Sequence, residues 1–185
     1  MAPSNDLADI DAACALVALG AAHAPAILAH LLRLPADDRS LRFCAGTVPA
    51  DVVAKYVDSI RFGEDSVLGV VDAHGSVVAV GHACWFRSRD GLLAEASFSV
   101  DEAWRNRGIG RALLLAVRAA AAEREASAVI GQCLARNRAM RRVFAAAGMT
   151  MTQEDGEVQA HGATTTMTAC LPPPSAAPAS RSIST

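Results

Sequence analysis

The stretch WRNRGIGRALL, residues 104–114, sets arginines at 105, 107 and 111 around Gly108 and Gly110, just ahead of an apolar helical pattern. The first N–H groups of a helix lack intrahelical partners and lie at the positive end of its dipole. Glycines in the preceding loop let backbone N–H groups turn toward a guest and let a bulky anion approach without meeting a Cβ. With Arg105, Arg107 and Arg111 adding positive charge, the guest that suits the backbone of Gly108, Ile109 and Gly110 is a phosphate or pyrophosphate. The plainer reading is a tight strand-to-helix turn with solvated arginines, because a bare GxG recurs for structural reasons alone. Two other phosphate loops are excluded. The stretch lacks the lysine–serine ending of a nucleotide-hydrolysing loop, and it lacks the third glycine and the acid on the next strand of a dinucleotide site.

Working outward, LLAEASFSV (92–100) alternates Ala94, Ala96, Phe98 and Val100 with Glu95, Ser97 and Ser99, which predicts a strand with the acid and two hydroxyls on one face. SVLGVVD and SVVAVGHACWF flank AHG and predict an antiparallel hairpin over 66–86, with Gly75 supplying a positive φ. Farther back, Val52, Val53, Tyr56, Val57 and Ile60 recur at helical spacing. LPADDRSLRF (34–43) breaks the pattern, and the alanine-rich segment 6–34 reads as two helical pieces. On the other side, Leu113, Val117, Ala120 and Ala121 make the buried stripe of the helix after the loop. ASAVIGQCLA (126–135) reads as strand and NRAMRRVFAAAG (137–148) as helix, with Asn137 as N-cap and Gly148 as stop. TMTQEDGEV (150–158) and ATTTMTACL (163–171) are expected as two closing strands.

This order predicts an α/β or α+β fold with a mixed sheet. Three segments are expected: an N-terminal helical part, 1–39, packed on the domain; the domain itself, 40–171; and a disordered Pro/Ser/Ala tail, 172–185. The 185 residues are 52% hydrophobic, which suits one compact core. A net charge of -2 argues against a nucleic-acid partner. Five cysteines, at 14, 44, 84, 133 and 170, show neither CxxC pairs nor a disulfide scaffold and read as reduced thiols. No apolar run is long enough to span a bilayer. A cytoplasmic protein without a membrane partner is expected.

SFSVDEAWRNRGIGRALL, followed by a strand and then by NRAMRRVFAAAGM, resembles the core of the GNAT superfamily of acyl-CoA-dependent N-acetyltransferases. Its signature Q/R-x-x-G-x-G/A is matched by Arg105, Gly108 and Gly110. A second signature, an asparagine opening the next helix and Gly-Phe closing it, is matched by Asn137 and Gly148, with Met149 in place of the phenylalanine. The resemblance covers residues 40 to 170. It implies a mostly antiparallel sheet flanked by helices, with a parallel strand pair that splays apart, and it implies acetyl-CoA as cofactor and a primary amine as acceptor. By the same resemblance, the amides of the glycine loop bind the pyrophosphate, the strand end from Phe98 to Val100 pairs with the pantetheine arm, and Asn137 adds a contact. An acyl-CoA-binding regulatory module without transfer is the alternative.

An amine must lose a proton before it attacks a thioester. With a pKa of about 10.4, roughly one lysine-type amine in 2,500 is neutral at pH 7, equivalent to about 4.6 kcal/mol of barrier. Glu95 is either an exposed position on an alternating strand or, by the resemblance, the general base, because family members that read A-E at this place use that acid; the base role calls for a half-buried carboxyl. His82, on the preceding strand, is the reserve. The family's tyrosine seven residues after the asparagine, which protonates the leaving thiolate, is here Phe144, which has no proton to give. Tyr56 is the only tyrosine in the chain. Cys133 reads as core, and Arg136, Arg138, Arg141 and Arg142 as a solvated helix face. Asp51, Asp58, Glu64 and Asp65 either attract a cationic amine or form a solvated acidic face.

Overall fold

The computed structural model describes residues 14–89 and 91–164. Seven strands form one sheet, flanked on both faces by helices. In chain order the elements are β1 (Cys14–Ala18), α1 (Ala24–Arg33), α2 (Ala36–Phe43), α3 (Ala50–Asp58), β2 (Ser66–Asp72), β3 (Val77–Ser88), β4 (Gly91–Val100), α4 (Ile109–Glu123), β5 (Ala128–Leu134), α5 (Arg138–Ala146), β6 (Thr150–Glu154) and β7 (Glu157–Ala163). The sheet order is β1-β2-β3-β4-β5-β7-β6, antiparallel throughout except for the β4/β5 pair. The mixed, mostly antiparallel sheet with one parallel pair is the expected fold.

One core lies beneath α4 and α5, where Leu113, Leu114, Val117 and Phe144 meet Ala94, Ala96 and Phe98 of β4. The other joins Ile27 and Leu31 of α1 and Val53 and Val57 of α3 to Val77 and Val80 of β3. A strand buried on both faces has no room for a continuous polar side, which is why β3 begins as an unbroken apolar run. In α4 the buried stripe includes Ile109, Ala112 and Leu114 beside the expected Leu113, Val117 and Ala121, while Ala120 is half-buried.

Three local expectations are corrected. Residues 14–18, read as helix, form edge strand β1. The alanine-rich CALVA has no strong preference of its own, and tertiary pairing decides. Its ladder with β2 continues into a hydrogen bond from Leu19 N to Val67 O (2.8 Å). The Leu19 side chain then occupies the space over Gly69, where a Cβ would stand 2.5 Å from Leu19 Cδ1. LPADDRSLRF, read as a break, contains α2: Pro35 stands at its N-cap, and Asp37 and Asp38 occupy its first turn, where they favour the positive end of the dipole. The boundary drawn between 39 and 40 falls inside this helix.

The third correction lies at the C-terminal hairpin. TMTQEDGEV is not one strand. It turns at Asp155 and Gly156, both with positive φ (48° and 82°), and runs back as β7. Asp-Gly between two strands is a strong hairpin signal. The second strand is therefore EVQAHGA, while most of ATTTMTACL and the 172–185 tail lie outside the described residues.

Candidate active site

The parallel pairing of β4 and β5 covers only Leu93–Glu95 against Ala128–Ile130. Beyond it β4 stays with β3 as far as Val100, and β5 stays with β7 as far as Leu134. The two strands thus part like a fork, leaving that edge of β4 from Ala96 to Val100 without a strand partner among the described residues. Phe144 fills the crotch of the fork. A Cβ on Gly131, the first residue of β5 past the pairing, would stand 2.7 Å from Cε1 and Cζ of that ring, so only glycine lets the ring lie there.

A cavity of about 580 Å³ runs along the fork. The glycine loop closes one end. Asn106 (φ 60°) and Gly108 (φ 76°) hold left-handed backbone angles that bend the chain into α4, and no other atoms crowd the Cβ direction of Gly108. Gly108 is thus needed for its backbone angle, which strains any L side chain. Gly110 is needed for space instead, since a Cβ there would stand 3.1 Å from Val143 Cγ2; it sets the close approach of α4 to α5. Ile109 is buried beneath the loop and lines the cavity with Phe98 and Val100. The Phe98 side chain points the other way, into the core against Leu113 and over Gly81.

The expected phosphate-binding arginines divide. Arg111 lines the cavity. Arg105 also lines it, but its guanidinium ties the walls together: Nε donates to Val100 O (3.2 Å) and Nη2 to Asp38 Oδ2 of α2 (2.6 Å). Arg107 does not line the cavity; it stacks over Trp104, 4.8 Å from the ring centroid, and donates to Ala103 O. Asn137 lines the cavity and also caps α5, accepting a hydrogen bond from Met140 N (3.0 Å). The arginines at 136, 138, 141 and 142 are exposed, as expected, although Arg136 reaches Ser40 Oγ and Arg142 borders the cavity.

Asp38, Leu41 and Arg42 of α2 and Ser97 of β4 also line the cavity. Ser97 pairs across the sheet with His82, and Glu95 with Cys84, so these four side chains share the face turned toward α2 and α3. Glu95 is exposed there, outside the cavity lining. The half-buried carboxyl that the base reading called for is not found. His82 is buried in a chain of contacts that the sequence did not disclose. Arg42 Nη2 donates to Tyr56 Oη (2.6 Å), Tyr56 Oη lies 2.7 Å from His82 Nδ1, His82 Nε2 lies 3.3 Å from Asp65 Oδ2, and Arg61 holds Asp65 Oδ1 at 2.7 Å. Tyr56 is therefore part of this chain of contacts. Burial holds the His82 imidazole below its ordinary pKa, against the opposing pull of Asp65, and favours the neutral ring.

Asp65 is buried, so it does not belong to the solvated acidic face considered for it; Asp51, Asp58 and Glu64 are exposed. At Asp65, burial works to raise the carboxyl, but hydrogen bonds from the Arg61 backbone, His82 and the Arg61 guanidinium outweigh it and hold the group below its usual value. Cys133 is core, as expected, and burial pushes its thiol up to about 11. A thiol so hard to ionise is a poor nucleophile.

Residues 37–149 match the acetyltransferase (GNAT) family. The chain belongs to that family. The GNAT fold recurs in solved structures of low identity. The GNAT domain of PAT from S. lividans superposes with a TM-score of 0.68 at 23% identity, covering 80% of this chain and 89% of that one. A GCN5-related N-acetyltransferase from Kribbella flavida gives 0.66 at 21%, with 82% and 98% covered. Spermidine N-acetyltransferase from Vibrio cholerae, solved in complex with CoA and spermine, gives 0.65 at 12%, with 84% and 98% covered. No curated protein matches the sequence significantly. Among the described residues no helix is long and apolar enough to cross a membrane.

Proposed function

We propose that this GNAT chain is an N-acetyltransferase that uses acetyl-CoA to acetylate a primary amine. The observation that carries the reading is the continuity of one cavity from the glycine loop, along the unpaired edge of β4, to the polar face at Ser97. The residues fit the cofactor. The first N–H groups of α4, which lack intrahelical partners, with Gly108 giving the loop its bend and Arg111 beside it, suit a pyrophosphate. The open edge of β4 from Phe98 to Val100 suits the amide-bearing pantetheine arm, and Asn137 lies across the fork from it. When bound, acetyl-CoA supplies an activated acetyl thioester.

The protein's own part is to bind, orient and move protons. Backbone N–H donors of the Phe98–Val100 edge polarise the carbonyl that the amine attacks. Holding amine and thioester together supplies much of the acceleration. Glu95, at the point where β5 leaves β4, takes the proton from the amine, through water given its exposure. A second acceptor is supported by one specific observation: the neutral His82 ring, held from both sides by Tyr56 and Asp65. Phe144 has no proton to give, so the chain supplies no acid at that position, and a leaving thiol with a pKa of about 8.5 would be protonated by solvent at modest cost.

The test is calorimetric titration with acetyl-CoA of the wild type and of Gly108→Asp, which puts a carboxylate beside the phosphate position, followed by a panel of primary amines. Micromolar binding lost in the variant, with turnover of at least one amine, is expected. Binding without turnover on a broad panel would leave a cofactor-binding module, and no binding at all would reduce the loop to a turn.

A further inference from the structure

We propose that Asp65, His82 and Cys84 form a binding site for a borderline-soft divalent cation such as Zn²⁺, through Asp65 Oδ2, His82 Nε2 and Cys84 Sγ. The site lies where the turn after α3 meets β3. The three ligand atoms all fall within 4.8 Å of one another, the one such group among the described residues. The inference does not rest on the transferase reading.

The distances at His82 Nε2 suit ligation as well as a long hydrogen bond. His82 Nε2 lies 3.3 Å from Asp65 Oδ2 and 3.5 Å from Cys84 Sγ, so both neighbours converge on one nitrogen. An N–H···O bond prefers about 2.9–3.0 Å, and a single N–H cannot point well at two acceptors. Zn–N and Zn–O bonds of about 2.0–2.2 Å and a Zn–S bond of about 2.3 Å, set at tetrahedral angles, space the ligand atoms about 3.3 Å (N to O) and about 3.6 Å (N to S) apart. The two edges that meet at His82 Nε2 match this spacing, and the third pair, Asp65 Oδ2 and Cys84 Sγ, lies within 4.8 Å, so the carboxylate and thiolate close in on the cation as it binds.

The surroundings supply what such a site needs. Metal-bound histidines donate their second ring N–H to an oxygen, which fixes the ring; here Tyr56 Oη stands 2.7 Å from His82 Nδ1. Arg61 Nη2 holds the other carboxylate oxygen, Oδ1, at 2.7 Å, and the Arg61 backbone N–H reaches Oδ2 at 3.1 Å, so the carboxylate is oriented before any cation arrives. The Asp65 and His82 side chains are 2% and 5% exposed, whereas Cys84 is half-buried, which leaves an approach and a fourth position on the thiol side. Charge also balances. Binding breaks the Cys84 S–H bond, forms the metal–sulfur bond and releases one proton to solvent. The dication then faces one thiolate and one carboxylate, with Arg61 as an outer partner. Occupation would take His82 Nε2 out of proton transfer and pin the turn after α3 to β3.

The test is a Co²⁺ titration of the full chain after chelator treatment. A thiolate-to-cobalt charge-transfer band in the near ultraviolet, with intense visible bands of a tetrahedral centre, should saturate at one Co²⁺ per chain and be displaced by Zn²⁺. Cys84→Ser, a conservative change checked by circular dichroism, should abolish the charge-transfer band, while Cys44→Ser and Cys133→Ala retain it. Zn²⁺ calorimetry in buffers of different ionisation enthalpy should report about one proton released per ion. A wild type without the thiolate band, or a folded Cys84→Ser that keeps it, overturns the proposal.

Discussion

The ring of Phe144 lies where a side chain on Gly131 would begin, 2.7 Å from the position of its Cβ. The two residues sit at the crotch of the fork between β4 and β5, with Ala96 O 3.7 Å from the same point. Gly131→Ala must therefore move an almost completely buried aromatic ring. Overpacking of this kind costs about 1–3 kcal/mol, and acetyl-CoA affinity should fall with it because Phe144 lines the cavity. Phe144→Leu makes room, so in urea denaturation the double variant should be more stable than the sum of the single losses requires. Strict additivity would mean that the ring and the glycine are not coupled.

Glu95 and His82 share one face of the sheet, two residues' pairing apart, but their settings differ. The pH profile of kcat/KM separates them. Glu95→Gln is expected to lower kcat about 10²–10⁴-fold with acetyl-CoA binding unchanged, while His82→Gln lowers it less than about tenfold. Burial keeps His82 below its ordinary value of 6.5, so an acid limb due to His82 must lie below that pH, with activity lost as the ring gains a proton. If His82→Gln is the more damaging change and it abolishes such a limb, the proton acceptor is His82.

Arg105 bridges two walls of the cavity, from Val100 O to Asp38 Oδ2. Side-chain exposures of 33% and 24% make this a partly solvated pair, and its direct contribution to stability should stay within about 1 kcal/mol. Its effect on the site should be larger, since it joins α2 to the end of β4. Arg105→Ala is expected to raise KM for acetyl-CoA several-fold. Arg105→Lys should not restore it, because an ammonium lacks the fork that reaches both oxygens. Full rescue by lysine would show that charge alone matters.

How far the molecule was legible follows from where its determinants lie along the chain. The helix α4, its glycine loop and strand β4 carry their own signals: a 3.6-residue period, two glycines and strict alternation. Asn137 could be read as a cap because a cap acts within three residues. β1 could not be read in this way, since CALVA becomes a strand only by pairing with β2 and seating Leu19 over Gly69. Losing α2 had a larger cost, because that helix brings Asp38 to Arg105 and Arg42 to Tyr56. The network around His82 joins the end of α2, α3, the turn after it and β3, and no local pattern marks it. The turn at Asp155–Gly156 was different: its signal was present, and an apparent longer strand obscured it.

The end of β4 is fixed by a half-buried carboxylate, and this gives stability a defined acid dependence. Asp101 Oδ1 lies 2.9 Å from His30 Nδ1, and Oδ2 accepts from Arg33 at 2.7 Å, while His30 Nε2 reaches Ser99 Oγ at 2.8 Å. Burial works to raise the Asp101 carboxyl, but hydrogen bonds from His30 and Arg33 outweigh it and hold the group below its usual value. A carboxyl with a lower pKa in the folded than in the unfolded state stabilises the fold fully above the unfolded value of about 3.9. That contribution is lost as pH falls from there through the folded value. Asp101→Asn should therefore cost about 1–3 kcal/mol near pH 7, the range for losing hydrogen bonds to a charged group, and progressively less below about pH 4. Urea denaturation of both proteins at pH 7, 5 and about 3 checks this. A difference that stays constant with pH would mean that Asp101 acts only as a neutral hydrogen-bond acceptor.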